Sequence, residues 1–496
     1  MDRKRLIFLI VWGFFWVGLA PGQDLAKRYN QMDFAGIVRE LHEVSPDSLT
    51  LEQQLLLAES QARLGDGGNA LTGLQRLLAE SPEDDRILTS AGIVYHSMGK
   101  FTLSETCLTR ALELNPRNSK ALLTRSMLLL YLRRFSEAEA SFRQADKADP
   151  GLRQTRLFQR IGSELYSATQ RPADMRRHFE YLEDYYASQN DAEKSAKYRR
   201  KIRLLAAAND QLLYRVQSHA ERVELPLVDF APGVYYKCLL LPRDGKTYRI
   251  LLDTGNAVGW TIHHPDLLTL LENRFGGEQN VATGSLEKNL KSRELLTVSL
   301  DLGDCKMTYL LGLFFKKPRE NYFDANLNPI FIRNRVVTLD FVHNKFLLRS
   351  KAQFDRDLAA EPLHSLVKLP FYGYEWPFVP VEVNGYAPAL AMIETGAEDL
   401  SLKEAFARFI HLPLTPATRV WGDRKLSYYE ASEVSVQFGP HILYRPRVEI
   451  WPRRFYDRIT GLYDQVMIGP YALHERFIIS FDPFENVVVI QTARRD

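Results

Sequence analysis

The sequence predicts a multidomain chain: an N-terminal all-α solenoid of short helical repeats, then an all-β half built from two copies of one unit. Three observations carry this. Pro82, Pro116 and Pro150 recur at a constant lag of 34 (116−82 and 150−116). After Ser218, Gly, Pro, Val, Tyr and Phe rise, and short alternating runs between turn residues replace helical spacing, which reads as β-rich. Within that second part three segments match three others in order and at nearly one lag. A chain of 496 residues, 45% hydrophobic, exceeds one ordinary core, so two or three domains are expected.

The first residues read as a secretory signal peptide over 1–22. Asp2-Arg3-Lys4-Arg5 is net positive, Leu6 to Ala20 is an uncharged apolar run, and Ala20-Pro21-Gly22 offers small residues before Gln23-Asp24. The run is shorter than the ~20 residues that span a bilayer as a helix. The expected localisation is exported, periplasmic or secreted. The bulky Phe14, Phe15 and Trp16, with Pro21, keep an uncleaved membrane anchor as the alternative, the one route to a membrane partner.

The repeat half is expected over 23–150. The same lag of 34 also links Gly65 to Gly99, Leu64 to Met98 to Leu132, Phe101 to Phe135 and Ala111 to Ala145. The clearest unit runs from Asp84 to Asn118, with Ala91 to Tyr95, then Gly99-Lys100-Phe101, then Ala111 to Pro116. Three to four units fit between Asp24 and Pro150, Asp33 to Pro46 being a degenerate second helix of the first. Each helix pair buries its apolar face only against a neighbour, so the units must stack. A small residue where helices cross, a Gly-x-Phe turn, an apolar second helix and a closing Pro resemble the tetratricopeptide repeat. That resemblance implies a groove for a peptide or protein partner; a scaffold or dimer surface is the alternative. Residues 151–218 stay helical but drift off period, and read as a capping and linking stretch.

The β half divides into 219–355 and 356–496. Leu225-Pro226 matches Leu369-Pro370 at a lag of 144, Asp253-Thr254-Gly255 matches Glu394-Thr395-Gly396 at 141, and Val336 to Asp340 matches Ile478 to Asp482 at 142. In each copy a strand, a turn (Asp244-Gly245 or Asn384-Gly385) and an apolar strand lead to the acid. Asp-Gly and Asn-Gly tolerate the positive φ of tight hairpins. Further hairpins are expected near Thr283-Gly284-Ser285 and Trp421-Gly422-Asp423, and a closing strand at Val487 to Ile490.

The duplicated acid-Thr-Gly set, with Met467-Ile468-Gly469 and the strand Phe477 to Asp482, resembles the retropepsin-like and pepsin-like aspartic proteases. The resemblance extends from Val223 to Thr492. It implies a two-lobed domain with Asp253 and Glu394 as the catalytic pair. Thr254 and Thr395 would bond across the lobes, Gly255 and Gly396 would permit the tight backbone, and a peptide or protein substrate would lie in the inter-lobe cleft. Two such carboxyls share one proton, because like charges so close do not both ionise. No metal and no cofactor is expected: His/Cys spacing of a metal site is missing from the sequence, and His263-His264 on a strand would point to opposite faces.

Three positions depart from the family pattern. The second acid is Glu394, one methylene longer than Asp; Asn256 follows the first motif; and Asn326-Leu327-Asn328 stands where two apolar residues and Gly are expected. Two functions follow. One is an exported aspartic-type endopeptidase whose repeats recruit substrate. The other is a catalytically impaired protease-fold protein that binds peptide or protein. A third reading makes both acids solvated turn residues of an unrelated β domain.

Charge and cysteines bound the rest. Lys plus Arg is 64 and Asp plus Glu 61, a net +3, which argues against a nucleic-acid surface. The basic clusters at Lys316 to Arg319, Arg445-Pro446-Arg447 and Arg453-Arg454 are expected on solvated loops. Cys107, Cys238 and Cys305 are too few for a disulfide framework and are read as buried, unpaired thiols, with a Cys238–Cys305 pair left open.

Overall fold

A computed structural model of the chain describes residues 21–231, 234–283, 287–315, 323–361, 366–421, 424–451, 465–474 and 476–492. The signal-peptide stretch 1–20, both tips of the expected hairpins (284–286 and 422–423) and the basic clusters at 316–319 and 453–454 lie outside the described residues. Among the described residues no helix is long and apolar enough to cross a membrane. These residues form two compact units, one holding 21–124 and 145–160 and the other holding the remainder.

The helices are α1 (Pro21–Asn30), α2 (Phe34–Leu41), α3 (Leu51–Arg63), α4 (Gly67–Glu80), α5 (Asp85–Ser97), α6 (Phe101–Leu114), α7 (Ser119–Tyr131), α8 (Phe135–Ala148), α9 (Arg156–Thr169), α10 (Pro172–Ser188) and α11 (Ala192–Ala206). The repeat period is a period of turns and caps. Gly65, Gly99 and Arg133 all take a positive φ, of 80°, 72° and 60°, at the end of the first helix of their pair. In each, the following N–H (Asp66, Lys100, Arg134) bonds back to the carbonyl five residues earlier. That closure satisfies the carbonyls a helix end leaves open. Asp84 and Asn118, separated by the same lag, cap α5 and α7 by accepting N–H bonds from Ile87 and Ala121. In the first unit Leu55, Ala58, Ala62, Ala70, Leu74 and Leu77 bury the seam between α3 and α4. Gly92 is required in α5, because a Cβ there would sit 2.7 Å from the Leu108 side chain.

The second unit is dominated by β-structure, with strands β1 (Arg215–Gln217), β2 (Arg222–Pro226), β3 (Val228–Ala231), β4 (Val234–Arg243), β5 (Lys246–Leu252), β6 (Trp260–Ile262), β7 (Asn273–Thr283), β8 (Glu287–Leu302), β9 (Cys305–Phe315), β10 (Ala325–Leu327), β11 (Val336–Asp340), β12 (Lys345–Arg349), β13 (Leu366–Pro370), β14 (Phe378–Val383), β15 (Tyr386–Ile393), β16 (Leu400–Lys403), β17 (Thr415–Trp421), β18 (Arg424–Phe438), β19 (His441–Trp451), β20 (Val466–Ile468), β21 (Phe477–Asp482) and β22 (Val487–Thr492). One sheet contains the path β4-β5-β10-β6-β9-β8-β7; a second runs β14-β15-β20-β16-β19-β18-β17. The two paths are strand-for-strand equivalent. In the second, β14 also pairs with β18, which closes the sheet on itself. The third sheet, β13-β22-β21-β11-β12-β2, takes three strands from each copy.

The equivalences at lags near 141 now have physical causes. Asp244-Gly245 and Asn384-Gly385 both take positive φ at both residues, as the tight hairpins between β4 and β5 and between β14 and β15 demand. Asp340 and Asp482 are buried, and each accepts two backbone N–H groups of the hairpin turn that follows it. Where the third sheet's halves meet, β11 pairs antiparallel with β21, and Thr338 and Ser480 share a hydrogen bond of 2.7 Å.

Three expectations change. The helical stretch after Pro150 is not merely a link: Met175, Phe179 and Leu182 of α10 and Leu204 and Leu205 of α11 are buried in one core with Trp260, Leu295 and Leu310 of the β-structure. Arg445-Pro446-Arg447 lies within strand β19, not on a loop, with Arg445 paired to Asp399 and Arg447 to Glu430. Carboxylates beside the strand let a basic run sit in it. Cys107 is only half-buried. All three thiols are free, and burial pushes Cys238 up to about 12 and Cys305 up to about 11.

Candidate active site

Both acids stand at the same place in their copies. Strand β5 runs parallel to β10 and ends at Leu252, after which the Asp253 N–H donates to Leu327 O at 3.0 Å. Strand β15 runs parallel to β20 and ends at Ile393, after which the Glu394 N–H donates to Ile468 O, also at 3.0 Å. Ile250, Leu251 and Leu252 are all buried, as are Ala391, Met392 and Ile393. Such continuously apolar strands are covered on both faces, which fixes the acids on rigid ends.

The threonines then tie the two turns together. The Thr254 N–H donates to Thr395 Oγ1 at 3.0 Å, and the Thr395 N–H donates to Thr254 Oγ1 at 2.9 Å. Each hydroxyl in turn donates to the strand end of the other copy: Thr254 to Ile393 O at 2.6 Å and Thr395 to Leu252 O at 2.5 Å. Both side chains are fully buried. The glycines admit the opposite acid. A Cβ on Gly255 would lie 2.7 Å from Glu394 Cδ, and one on Gly396 would lie 2.5 Å from Asp253 Oδ1. All six residues singled out in the sequence thus come together, Asp253 over Gly396 and Glu394 over Gly255. Neither acid is a solvated turn residue; both are half-buried.

The Asp253 carboxyl is pushed up to about 6, first by loss of water, against the opposing pull of the Gly255 N–H, the Asn326 side chain and the Asn256 N–H. Gly255 N donates to Oδ1 at 3.0 Å and Asn326 Nδ2 to Oδ2 at 3.3 Å.

The departures from pattern carry bonds of their own. Asn328 is fully buried; its Nδ2 lies 3.0–3.1 Å from the carbonyls of Thr254, Asn256 and Glu375, and its Oδ1 accepts the Ile330 N–H. The equivalent Gly469 has no such freedom, because a Cβ there would meet the Glu398 carbonyl group at 2.6 Å. Asn256 turns its Oδ1 to the Val258 N–H at 3.2 Å, closing its own turn.

Residues the sequence did not single out also border the site. Trp376 Nε1 donates to Gly255 O at 3.1 Å. The Tyr236 hydroxyl is raised by burial, then by the charges of Glu398, Glu394 and Asp253. Arg419 of β17 pairs with Glu398, just past the second acid turn, at 3.3 Å, and with Glu449 at 3.0 Å. No local pattern marks these residues, since their partners lie far away along the chain. His263 stacks on Phe315 and bonds Thr261, while His264 Nδ1 accepts the Asp266 N–H, so the adjacent histidines serve different partners. A groove of about 750 Å³ lined by Arg215, His219, Lys306 and Arg335 includes none of the acid-site residues.

Comparison with known proteins bears on the helical half. The tetratricopeptide repeat family matches residues 85–118 and 119–151, the helix pairs α5–α6 and α7–α8. No curated protein matches the chain. Among solved structures, a thermophilic TPR protein of Thermus thermophilus is 21% identical over 38% of this chain and 95% of its own, with a TM-score of 0.28. MamA of MSR-1 is 19% identical over 38% and 95%, with a TM-score of 0.22, and pilF of Pseudomonas aeruginosa is 14% identical over 34% and 77%, with a TM-score of 0.25. The N-terminal region carries tetratricopeptide repeats, a module that commonly binds protein partners.

Proposed function

We propose that the β-rich region is a two-lobed aspartic-protease-type domain that hydrolyses peptide bonds with Asp253 and Glu394, while the repeats recruit substrate or partner protein. One observation carries this reading: the reciprocal Thr254–Thr395 bonds hold two carboxyls at equivalent strand ends, each against the glycine of the other turn. A lone acidic turn needs no such partner. In this reading a water sits between the carboxyls of the charged pair. One carboxylate takes a proton from the water as its oxygen bonds to the peptide carbonyl carbon, and the other carboxyl gives its proton to the carbonyl oxygen. Collapse of the resulting diol, with a proton passed to the nitrogen, breaks the C–N bond.

Glu394 is the point of strain in this reading. The extra methylene moves its carboxyl by about 1 Å, and a displacement of that size costs about 100-fold in rate where it is not accommodated. The bare Gly255 opposite leaves room for the longer arm. The test is cleavage of a peptide library by the full chain from acid to neutral pH. Asp253→Asn abolishes cleavage, and activity rises through about pH 6 as Asp253 ionises. Glu394→Asp lowers an activity the backbone has adjusted to, and raises one that Glu394 impairs. No cleavage by any form across the pH range turns the assignment to the peptide-binding alternative. We also read the chain as exported; a mature N-terminus near Gln23 by mass spectrometry supports this, and a full-length cytoplasmic form overturns it.

A further inference from the structure

Resting on the acid-pair reading above, we infer that Asn326 is a positioning residue that holds Asp253 in its ionised form. Asn326 sits at the centre of β10, in register with Leu251 of β5 on one side and Thr261 of β6 on the other. From there its Nδ2 reaches Asp253 Oδ2 at 3.3 Å, while the Gly255 N–H occupies Oδ1 at 3.0 Å. Both oxygens therefore face donors. A donor stabilises the carboxylate over the carboxylic acid.

The orientation of the amide carries the same preference. Asn326 Oδ1 is buried and has no hydrogen-bond partner among the described residues. Turned over, that oxygen would face Asp253 and serve only a protonated acid. The orientation present leaves a buried acceptor unpaired in order to offer N–H to the carboxyl.

The matching place in the second copy carries no amide. The position equivalent to Asn326 is Met467 (467−326 equals 394−253, both 141), which holds the same register in β20, between Met392 of β15 and Ser401 of β16. A thioether has no N–H to give. The duplication therefore sets an amide donor beside the first acid and a sulfur at the matching place beside the second. Asp253, held ionised, then takes the proton of the attacking water.

The test is a double-mutant cycle on the full chain with Asn326→Leu and Asp253→Asn, read as urea unfolding by tryptophan fluorescence at about pH 4.5 and about pH 8. Coupling worth about tenfold in the unfolding equilibrium is expected at the higher pH, where Asp253 is ionised, and it collapses at the lower pH. Coupling that is equal at both pH values, or missing at the higher one, overturns the inference and makes Asn326 a packing residue. If the leucine variant does not fold, Asn326→Ala repeats the cycle without added bulk. In cleavage assays Asn326→Leu moves the acid limb up by about one pH unit. pH-dependent coupling with no cleavage by any form sinks the hydrolase reading and keeps the Asn326 assignment. Cleavage with an unmoved limb and flat coupling does the reverse.

Discussion

Replacing Thr395 by Val tests the junction on which the acid site depends. Valine keeps the shape of a side chain that is 1% exposed but removes its hydroxyl. Two hydrogen bonds to backbone go: the one donated to Leu252 O at 2.5 Å and the one accepted from the Thr254 N–H at 3.0 Å. Each leaves a buried backbone group without its partner, at about 1–3 kcal/mol apiece, so a loss of about 4 kcal/mol is expected. Urea unfolding of the full chain by tryptophan fluorescence reads this directly. Trp260, Trp376, Trp421 and Trp451 belong to the β-rich part, and the other two tryptophans, Trp12 and Trp16, precede residue 21. Thr395→Ser, which keeps both bonds and loses one methyl, costs about 1 kcal/mol. A valine variant within about 0.5 kcal/mol of wild type, or no worse than the serine variant, would refute the claim that these bonds hold the two turns together.

Three further outcomes follow from the site. Burial pushes the Asp253 carboxyl up to about 6 against an ordinary 3.8, so the native state binds its proton more tightly. Stability therefore falls as pH rises from about 4 to about 6, by about 3 kcal/mol, and urea titrations of Asp253→Asn show that slope flattened. Gly396→Ala drives a Cβ to 2.5 Å from Asp253 Oδ1; cleavage drops by about 100-fold or more while circular dichroism stays native, and an active Gly396→Ala variant would break the proposed geometry. Asn328→Ala strips the carbonyls of Thr254, Asn256 and Glu375 of a shared donor and costs about 3 kcal/mol in chemical unfolding. Asn328→Gly, which copies Gly469, gives no recovery, since the first copy fills that space with the amide itself.

The amino-acid sequence by itself determined what depends on local repetition. Positive-φ turns at Gly65 and Gly99 and helix caps at Asp84 and Asn118 recur at one lag (99−65 equals 118−84), because each helix pair is a local unit of fixed length. The duplication was legible for the same reason: the Asp-Gly and Asn-Gly hairpins and the turn-closing Asp340 and Asp482 are short-range devices that survive in both copies. Tertiary structure decided the rest. The Thr254 and Thr395 bonds join residues 141 positions apart (395−254), and the carbonyls they reach belong to strands that no local pattern pairs. Asn326 and Asn328 read as departures in the sequence; only the folded strands show one beside Asp253 and the other with its amide nitrogen among three carbonyls. The helices α10 and α11 looked like a link because their charged faces hide the few apolar residues that enter the β core. A period records what a segment does with its neighbours along the chain, whereas a site is made by strands that meet only once the sheets have formed.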